Sequence, residues 1–417
     1  MEPASGRFWF GTPLFEQADV TVPGGTFRVT ARNISKDNRY IRGVRLNGRE
    51  YDRMYITHDD IMKGGTLEFI MGPRQARTYT SANDIIPRPA SVRIDKGVFH
   101  LAKDESNVTG KVNGKGAPES YTLTVKPDKV AIVAADSAGL YYGWQTLRQM
   151  ARIAGDKGIA CETVTDAPRF PYRGLHFDVS RHFRPIEFIK KQLDAMARLK
   201  LNTAHLHLTD GAGWRMQVDA YPRLTEYGAW RPQRRWSDWR RNGSTYCTAS
   251  TPGAYGGFYT KEQLRDLVNY AAERHITLIP EIEMPGHSDE VVAAYPEVSC
   301  SGKGGDLCPG KEATFTFLEK VLDETMEIFP SHIIHIGGDE APKTEWKNCP
   351  DCKCRMEQEG LANVEELQSY MIKRIERYLN DHGRSIIGWD EILEGGVAPN
   401  ATIMSWRGTE GGIQSMN

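Results

Sequence analysis

Two adjacent carboxylates, Asp339 and Glu340, close the segment His-Ile-Gly-Gly-Asp-Glu at 335–340, which follows an apolar pair. Neighbouring carboxylates repel each other's charge, so one of them can hold a proton near neutral pH while the other stays ionised. The two glycines leave room for a ligand to approach the backbone. The segment therefore indicates acid and base chemistry at a strand end, although a solvated turn would show the same letters.

Reactive or aromatic residues also follow other apolar segments. We predict six strands, at 174–179, 203–208, 276–282, 333–337, 385–388 and 402–405. The groups at their carboxyl ends are, in chain order, Asp178 to Arg181, Asp210, Glu281 to His287, Asp339 and Glu340, Trp389 to Glu391, and Trp406. This recurrence favours a functional site over an isolated turn.

Helical patterns separate the first five of these strands. Apolar residues recur at helical spacing over 186–199, 264–271, 315–326 and 367–379, and capping residues open the second and fourth helices at Thr260 and Asn363. Repeated βα units imply a parallel sheet, either open and doubly wound or closed as a (β/α)8 barrel. An open sheet places its site at one crevice, whereas a barrel gathers every strand end around one mouth. Six contributing strand ends favour the barrel.

A closed barrel needs eight strands, and the sequence supplies six. We therefore expect an incomplete barrel over 167–417, truncated at its C-terminus. Short alternating segments with Gly-rich turns predict a β-sandwich-like module over 1–75. Residues 76–166 predict a small α+β domain, with strands at 91–94, 121–125 and 129–134 and a helix from Ser137.

The composition excludes few classes of protein. A net charge of −1 gives no reason to expect nucleic acid as a partner, and no apolar run is long enough to span a bilayer. The N-terminal residues lack the pattern of a secretion signal, so either the protein is cytosolic or its true N-terminus is missing. The oligomeric state is left open.

Two patterns raise the question of a metal. Cys349, Cys352 and Cys354 form a Cys-x-x-Cys-x-Cys segment, but no second pair of ligands stands nearby in the sequence, so zinc is disfavoured. Free thiols, or a disulfide between Cys300 and Cys308, remain alternatives. A metal-dependent hydrolase using the alternative ligands His205, His207 and Asp210 is also disfavoured, because His-x-His is a weak signal. We predict no metal and no cofactor.

The strand-end motifs, taken together, resemble those of glycoside hydrolase family 20, the exo-acting β-N-acetylhexosaminidases. The matching segments, in the order found in the family, are Tyr-Arg-Gly-Leu-His-Phe-Asp-Val-Ser-Arg-His-Phe at 172–183, His-Leu-His-Leu-Thr-Asp at 205–210, Pro-Glu-Ile-Glu-Met-Pro-Gly-His at 280–287, His-Ile-Gly-Gly-Asp-Glu at 335–340, Gly-Trp-Asp-Glu at 388–391 and Ser-Trp-Arg-Gly at 405–408. With Gly-Leu-Tyr-Tyr-Gly-Trp-Gln at 139–145, the resemblance covers about residues 76–412. It implies a TIM-type barrel and a substrate-assisted mechanism, an exception to the two-carboxylate scheme.

The resemblance also implies roles for seven residues. Glu340 would be the general acid and base, and Asp339 would orient the substrate's acetamido group. Arg181 would clamp sugar hydroxyls, with an ion pair to Asp178 as the structural alternative. The remaining roles are a hydrogen-bonded chain to Glu340 through Asp210 and His287, and an aromatic wall formed by Trp389 and Trp406.

Further expectations follow from the resemblance. The substrate would be a glycan with a terminal N-acetylhexosamine, and the location would be periplasmic or extracellular. The family's seventh and eighth strands carry a tyrosine, a tryptophan and a glutamate that have no counterpart here, so we expect these 417 residues alone to be nearly inactive. A non-catalytic carbohydrate-binding protein, or an inactive fragment, is the competing interpretation.

A second resemblance concerns the N-terminal module. The segment Tyr-Ile-Thr-His-Asp-Asp-Ile-Met-Lys-Gly-Gly-Thr-Leu-Glu-Phe at 55–69 resembles the C-terminal β module of family 92 α-mannosidases. The catalytic core of that family has no counterpart in the chain, so the resemblance assigns no mannosidase activity.

Overall fold

The computed structural model of this protein describes residues 6–23, 25–73 and 80–415. The chain divides into two compact units, Met1–Tyr79 and Thr80–Asn417. The predicted boundary near residue 166 falls inside the second unit and stays a prediction.

The first unit is built from short strands. They are β1 (Arg7–Trp9), β2 (Gln17–Val22), β3 (Gly25–Arg32), β4 (Tyr40–Leu46), β5 (Arg49–Glu50), β6 (Tyr55–Thr57) and β7 (Gly65–Gly72), with one helical turn, α1 (His58–Met62). Five strands form a sheet in the order β2-β3-β7-β4-β5, and β1 pairs with β6. Phe27, Leu67 and Phe69 lie in its small buried core. The β-rich module predicted for this part of the chain is confirmed.

The second unit begins with an α+β arrangement. Its elements are β8 (Ser91–Phe99), β9 (Val108–Val112), β10 (Tyr121–Val125), β11 (Val130–Ala134), α2 (Ser137–Ala154) and β12 (Ile159–Asp166). The five strands form one sheet in the order β8-β12-β10-β11-β9. Helix α2 begins after Asp136, whose side chain accepts from the Gly139 backbone N–H at 2.8 Å. Apolar residues of the helix pack on this sheet because they recur on one face.

A six-stranded parallel sheet follows in the described residues. The elements of this part are β13 (Gly174–Asp178), β14 (Thr203–His207), the short pair β15 (Trp230–Arg231) and β16 (Tyr255–Gly256), β17 (Thr277–Met284), β18 (Ile333–Gly337), β19 (Ser385–Trp389) and β20 (Thr402–Met404). The parallel order is β13-β14-β17-β18-β19-β20, which is the order of the chain. All five pairings are parallel. The six predicted strands are therefore confirmed. Parallel strands that neighbour one another in chain order, with helices between them, are the arrangement of a (β/α) barrel.

Helices connect these strands. They are α3 (Ile186–Arg198), α4 (Arg223–Glu226), α5 (Trp236–Arg241), α6 (Lys261–Ala272), α7 (Asp289–Ala294), α8 (Glu312–Ile328), α9 (Pro350–Glu359), α10 (Val364–Asp381) and α11 (Glu410–Gln414). The predicted capping box at Thr260 is present, and the Asn363 side chain accepts from the Glu366 backbone N–H at 2.8 Å. The apolar faces of α3, α6, α8 and α10 join the buried strands in one core. These four helices were predicted, whereas α9 was not.

Two further observations bear on the predictions. Among the described residues, no helix combines the length and the apolar character needed to cross a bilayer. The sequence has no second ligand pair near Cys349 and Cys352, but the fold brings Cys300 and Cys308 against them. The spacing of the cysteines in the sequence does not reveal this proximity, because more than forty residues separate the two pairs.

Candidate active site

The backbone leaves the extended conformation at the end of β18. Gly337, Gly338 and Glu340 have φ values of 67°, 99° and 49°, all in the left-handed region. On a regular strand, neighbouring side chains point to opposite faces, so Asp339 and Glu340 could not share one site. The irregular backbone lets both side chains reach one site, and glycine adopts the left-handed conformations at 337 and 338 without strain.

One histidine brings the two carboxylates together. The Nε2 atom of His287 lies 3.3 Å from an oxygen of Asp339 and 3.3 Å from an oxygen of Glu340. Its Nδ1 atom lies 3.4 Å from Asp210 Oδ2. Burial lowers the pKa of His287, but the hydrogen bond that the ring donates to Asp339 and the charge of Asp210 more than offset burial, so the net shift of the pKa is upward. A proton on this ring is within reach of both carboxylates.

The two carboxylates differ in exposure. The Glu340 side chain is 58% exposed, whereas that of Asp339 is 14% exposed. The Oδ1 atom of Asp339 is buried and accepts no hydrogen bond from the described residues. A buried acceptor without a donor is costly unless a ligand supplies one. The pair therefore presents an inner acceptor and an outer, accessible carboxyl group.

Arg181 lies at the carboxyl end of β13 beside this pair. Its guanidinium is 2.7 Å from Asp210 Oδ2 and 3.2 Å from Asp178 Oδ2. Burial lowers the pKa of Arg181, while the charges of Asp210 and then Asp178 raise it, and the net shift is upward. The structure thus contains the ion pair to Asp178 that was the alternative role, together with a second one that points the guanidinium into the site.

The two predicted tryptophans have different environments. Trp389 is half-buried, and its indole N–H donates to Glu281 Oε1 at 2.9 Å. Trp406 is 52% exposed, and its N–H donates to Glu391 Oε2 at 2.9 Å. Burial raises the pKa of Glu391, and the charge of Asp339 adds to the rise. Glu391 is buried, and its carboxylate holds the indole of Trp406 in place.

Sequence reasoning missed a buried polar cluster beneath the carboxylates. Its centre is Glu281, which is fully buried. Four histidine rings and one indole surround its carboxylate, at 2.6 Å (His207), 2.8 Å (His205), 2.9 Å (Trp389), 3.0 Å (His335) and 3.5 Å (His176). Burial raises the pKa of Glu281, but the charges of His207 and His335 lower it by more. The pKa of Glu281 therefore lies well below its usual range. We call this set the histidine cage.

A signal for the histidine cage is present in the sequence. In the parallel register His176 lies beside His205, His207 beside Glu281, and Glu281 beside His335. Residues two apart on a strand share a face, so these polar residues all lie on the same face of four neighbouring strands. Aligning the predicted strands by their polar residues would have found the cage.

Glu283 extends the histidine cage towards the turn at Gly337. Both of its carboxyl oxygens are buried and accept no hydrogen bond from the described residues. Burial and the charges of Glu281 and Asp339 raise the pKa of Glu283 well above its usual range. The raised pKa favours the protonated form of Glu283, and the two neighbouring carboxylates of β17 titrate together rather than independently.

Gly337 makes room for Glu283. A Cβ atom at position 337 would lie 1.8 Å from Glu283 Oε2, and the φ of 67° is unfavourable for any L side chain. We expect Gly337→Ala to lower the free energy of unfolding by more than about 2 kcal/mol, because strain and displacement of Glu283 add. Gly360→Ala is the matched control: it has the same φ but nothing within 4 Å of its Cβ. Equal losses for the two variants in urea unfolding would contradict this account.

The metal interpretation of His205, His207 and Asp210 does not fit the ring environments. Both nitrogens of His207 face carboxylates, Glu281 at 2.6 Å and Asp210 at 3.2 Å. Burial lowers the pKa of His207, but Glu281 and Asp210 raise it to about 10. A ring that donates from both nitrogens has no lone pair for a metal.

A cavity of about 500 Å³ lies at the opposite edge of the parallel sheet. Its lining includes Asn202, Thr277 and Ser331, which lie at or next to the amino ends of strands. Barrel enzymes place their sites at the carboxyl edge. We therefore assign this cavity no part in the site.

The parallel sheet, with paired carboxylates, an arginine and tryptophans at its carboxyl edge, is the architecture of barrel-type glycoside hydrolases. Comparison with known families agrees. Residues 170–417 match the catalytic domain model of glycosyl hydrolase family 20, and residues 105–167 match that family's domain 2. The chain belongs to glycoside hydrolase family 20. Residues 1–73 match the catalytic domain model of family 92.

Curated relatives and solved structures support the assignment. A β-hexosaminidase of Porphyromonas gingivalis is 44% identical over 318 residues, covering 72% of this chain and 39% of the relative. One from Vibrio furnissii is 37% identical over 308 residues, covering 69% and 48%. This chain thus spans less than half the length of either relative.

The solved β-N-acetylhexosaminidase of Bacteroides fragilis has a TM-score of 0.68 and 31% identity, covering 77% of this chain and 70% of that one. The family 20 enzyme of Streptomyces coelicolor gives a TM-score of 0.64 at 26% identity, covering 80% and 72%. These structures support the fold and the predicted family.

Proposed function

We propose that this chain carries the catalytic site of a retaining exo-β-N-acetylhexosaminidase. The observation that carries the proposal is the unpartnered, buried Oδ1 atom of Asp339 beside the exposed acid Glu340. An acetamido N–H is a donor that would satisfy Oδ1. The roles of the seven predicted site residues rest on this geometry and on the family resemblance.

The proposed first step is intramolecular. Asp339 accepts the acetamido N–H and holds the carbonyl oxygen against the anomeric carbon. The new bond from that oxygen to the anomeric carbon forms as the glycosidic bond breaks. The leaving oxygen takes a proton from Glu340, and Asp339 stabilises the positive charge on the oxazolinium ring.

The second step returns the enzyme to its starting state. Glu340 accepts a proton from water as the water oxygen attacks the anomeric carbon. The oxazolinium ring opens to the acetamido group, and two displacements leave the configuration retained. The outer position of Glu340 suits both steps, since leaving group and water occupy the same side.

The other residues position the sugar. Arg181, held by Asp178 and Asp210, presents donors for hydroxyl groups. Trp389 and Trp406 offer flat apolar surfaces for the acetamido methyl. The proposed substrate is a glycan with a terminal β-linked N-acetylhexosamine, and the proposed location is periplasmic or extracellular, as the family resemblance implies.

A substrate series tests the mechanism. We expect kcat/KM for aryl N-acyl-β-glucosaminides to fall steeply as fluorine atoms are added to the acetyl group, because each one makes the carbonyl oxygen a poorer nucleophile. An aryl β-glucoside without the acetamido group should not be hydrolysed. A flat dependence on fluorine content would instead indicate an enzyme carboxylate as the nucleophile.

The competing function is carbohydrate binding without turnover. A binding protein would retain N-acetylglucosamine affinity but show no product at any enzyme concentration. Because Asp339 and Glu340 are both present and both reach His287, the catalytic function is favoured.

A further inference from the structure

Four of the seven cysteines meet in one buried cluster outside the active site. The Sγ atoms of Cys300, Cys308, Cys349 and Cys352 all lie within 4.8 Å of one another. Cys308, Cys349 and Cys352 are buried, and Cys300 is half-buried. We refer to these residues as the cysteine cluster.

The spacing of the sulfurs is that of a tetrahedral metal site. The separations are 3.5 Å between Cys308 and Cys352, 3.6 Å between Cys300 and Cys352, and 3.8 Å between Cys308 and Cys349. A tetrahedron with Zn–S bonds of about 2.3 Å has S–S edges of about 3.8 Å. Cys308 and Cys352 each have two close sulfur neighbours, an arrangement that separate disulfide pairs do not require.

The two cysteine-bearing segments approach each other closely. Cys349 precedes the first residue of α9, and Cys352 lies in the first turn of this ten-residue helix. Gly310, two residues after Cys308, packs directly on the other segment: a Cβ atom there would lie 2.3 Å from the Asp351 carbonyl carbon and 2.4 Å from the Cys352 nitrogen. The absence of a side chain at 310 thus permits the close approach of the two segments.

The surroundings favour a cation over four free thiols. Apolar residues enclose the cluster, among them Trp346, Val364 and Leu367. In such surroundings thiolates need a bound cation to compensate their charge. Soft thiolate ligands in a tetrahedral set select Zn²⁺ or iron over Mg²⁺ and Ca²⁺.

We propose that Cys300, Cys308, Cys349 and Cys352 bind one Zn²⁺ ion as a closed, structural tetrathiolate. Four protein ligands leave no open position, so the ion would have no part in hydrolysis. Cys354 is exposed and lies outside the cluster, where its sulfur accepts from Gln358 at 3.3 Å. This proposal departs from the sequence-based prediction of no metal.

The proposed ion would fix the loop that supplies His287 and the loop that follows the paired carboxylates. Leu307, next to Cys308, donates its backbone N–H to the Pro285 carbonyl at 2.9 Å, two residues from His287. The Leu307 carbonyl accepts from Trp346 Nε1 at 3.1 Å, on the segment that follows Glu340. The cluster therefore joins the loop after β17 to the loop after β18.

Metal content and thiol reactivity test the proposal on the wild-type protein. After expression with zinc in the medium, elemental analysis should find one zinc per chain beyond any bound by an affinity tag. A mercurial reagent should release that zinc to a colorimetric chelator. The four cluster cysteines, like the buried Cys161, should resist alkylation in the native protein and react after unfolding with a chelator, without any reductant.

Variants then locate the ion. Cys308→Ser and Cys352→Ser should lose the zinc and lower the unfolding temperature, while Cys354→Ser, two residues further along the same helix, should keep both unchanged. Substitution with Co²⁺ should give the visible bands of a tetrahedral tetrathiolate. If Cys308→Ser and Cys352→Ser do not fold, the wild-type measurements still decide.

Three results would overturn the proposal. Substoichiometric zinc in protein whose four thiols alkylate freely would indicate ordinary free cysteines. Cysteines that react only after reduction would indicate disulfides. Stoichiometric iron would replace zinc as the metal of the cluster. The measurements do not involve hydrolysis, so they stand apart from the proposed glycosidase function.

Discussion

In a protein that also contains the family's seventh and eighth strands, Glu340→Gln is expected to lower kcat/KM for a 4-methylumbelliferyl N-acetyl-β-glucosaminide by about 10²- to 10⁴-fold, the usual contribution of a general acid. Glutamine keeps the size of the side chain but has no proton to give to the leaving oxygen. It can still accept from His287, whose Nε2 lies 3.3 Å from the Glu340 carboxylate. The expected loss is therefore chemical, and thermal unfolding should be unchanged because this side chain is largely exposed.

The leaving group supplies the control for this prediction. A dinitrophenyl leaving group departs without protonation, so the first step in Glu340→Gln should be nearly as fast as in the wild type for this substrate. Asp339→Asn should instead slow both substrates, because an amide cannot stabilise the oxazolinium charge. If Glu340→Gln impaired all leaving groups equally, the assignment of Glu340 as the acid would be wrong.

The strands that carry the site could be predicted because burial and turns mark them clearly. The predicted strands at 121–125 and 333–337 match β10 and β18, since each is an apolar or alternating run next to glycine, proline or polar residues. Helix α9 was missed because its only fully buried member is Cys352, which leaves no apolar stripe to detect.

The candidate site also has residues that the sequence predicts and residues that it does not. Asp339, Glu340 and His287 could be brought together from motif order and from the rule that strand ends meet at one mouth. The histidine cage was missed because it depends on the register between parallel strands, and only an alignment of the strands by their polar residues would have revealed it. The cysteine cluster was also out of reach, because loops far apart in sequence meet only through the packing of Gly310.

The two buried glutamates of β17 are expected to respond oppositely to substitution. Glu281→Ala leaves His207 as a buried cation without its closest counter-charge, and it removes the acceptor of the Trp389 indole. Breaking a buried pair in this way costs about 3–5 kcal/mol. Glu283→Gln replaces a protonated carboxyl by a neutral donor of the same shape, so stability at neutral pH should fall by less than about 1 kcal/mol or rise.

The pH dependence separates the two glutamates further. The pKa of Glu281 is lowered on folding, so its stabilisation is present above the unfolded value of about 4.3 and is lost as the pH falls through the folded value. The pKa of Glu283 is raised, so the folded state keeps a proton that the unfolded state releases above about pH 4.3. Glu283 therefore costs stability as the pH rises, by up to about 1.4 kcal/mol per pH unit until its folded pKa is reached.

Urea unfolding at two pH values measures both effects. Between about pH 5 and about pH 7, Glu283→Gln should gain stability relative to the wild type, because the variant has no proton to release on unfolding. Over the same interval Glu281→Ala should remain the less stable protein. If the difference in stability between Glu283→Gln and the wild type did not change with pH, Glu283 would be ionised in the folded protein across this interval, and its assignment as a protonated carboxyl would be wrong.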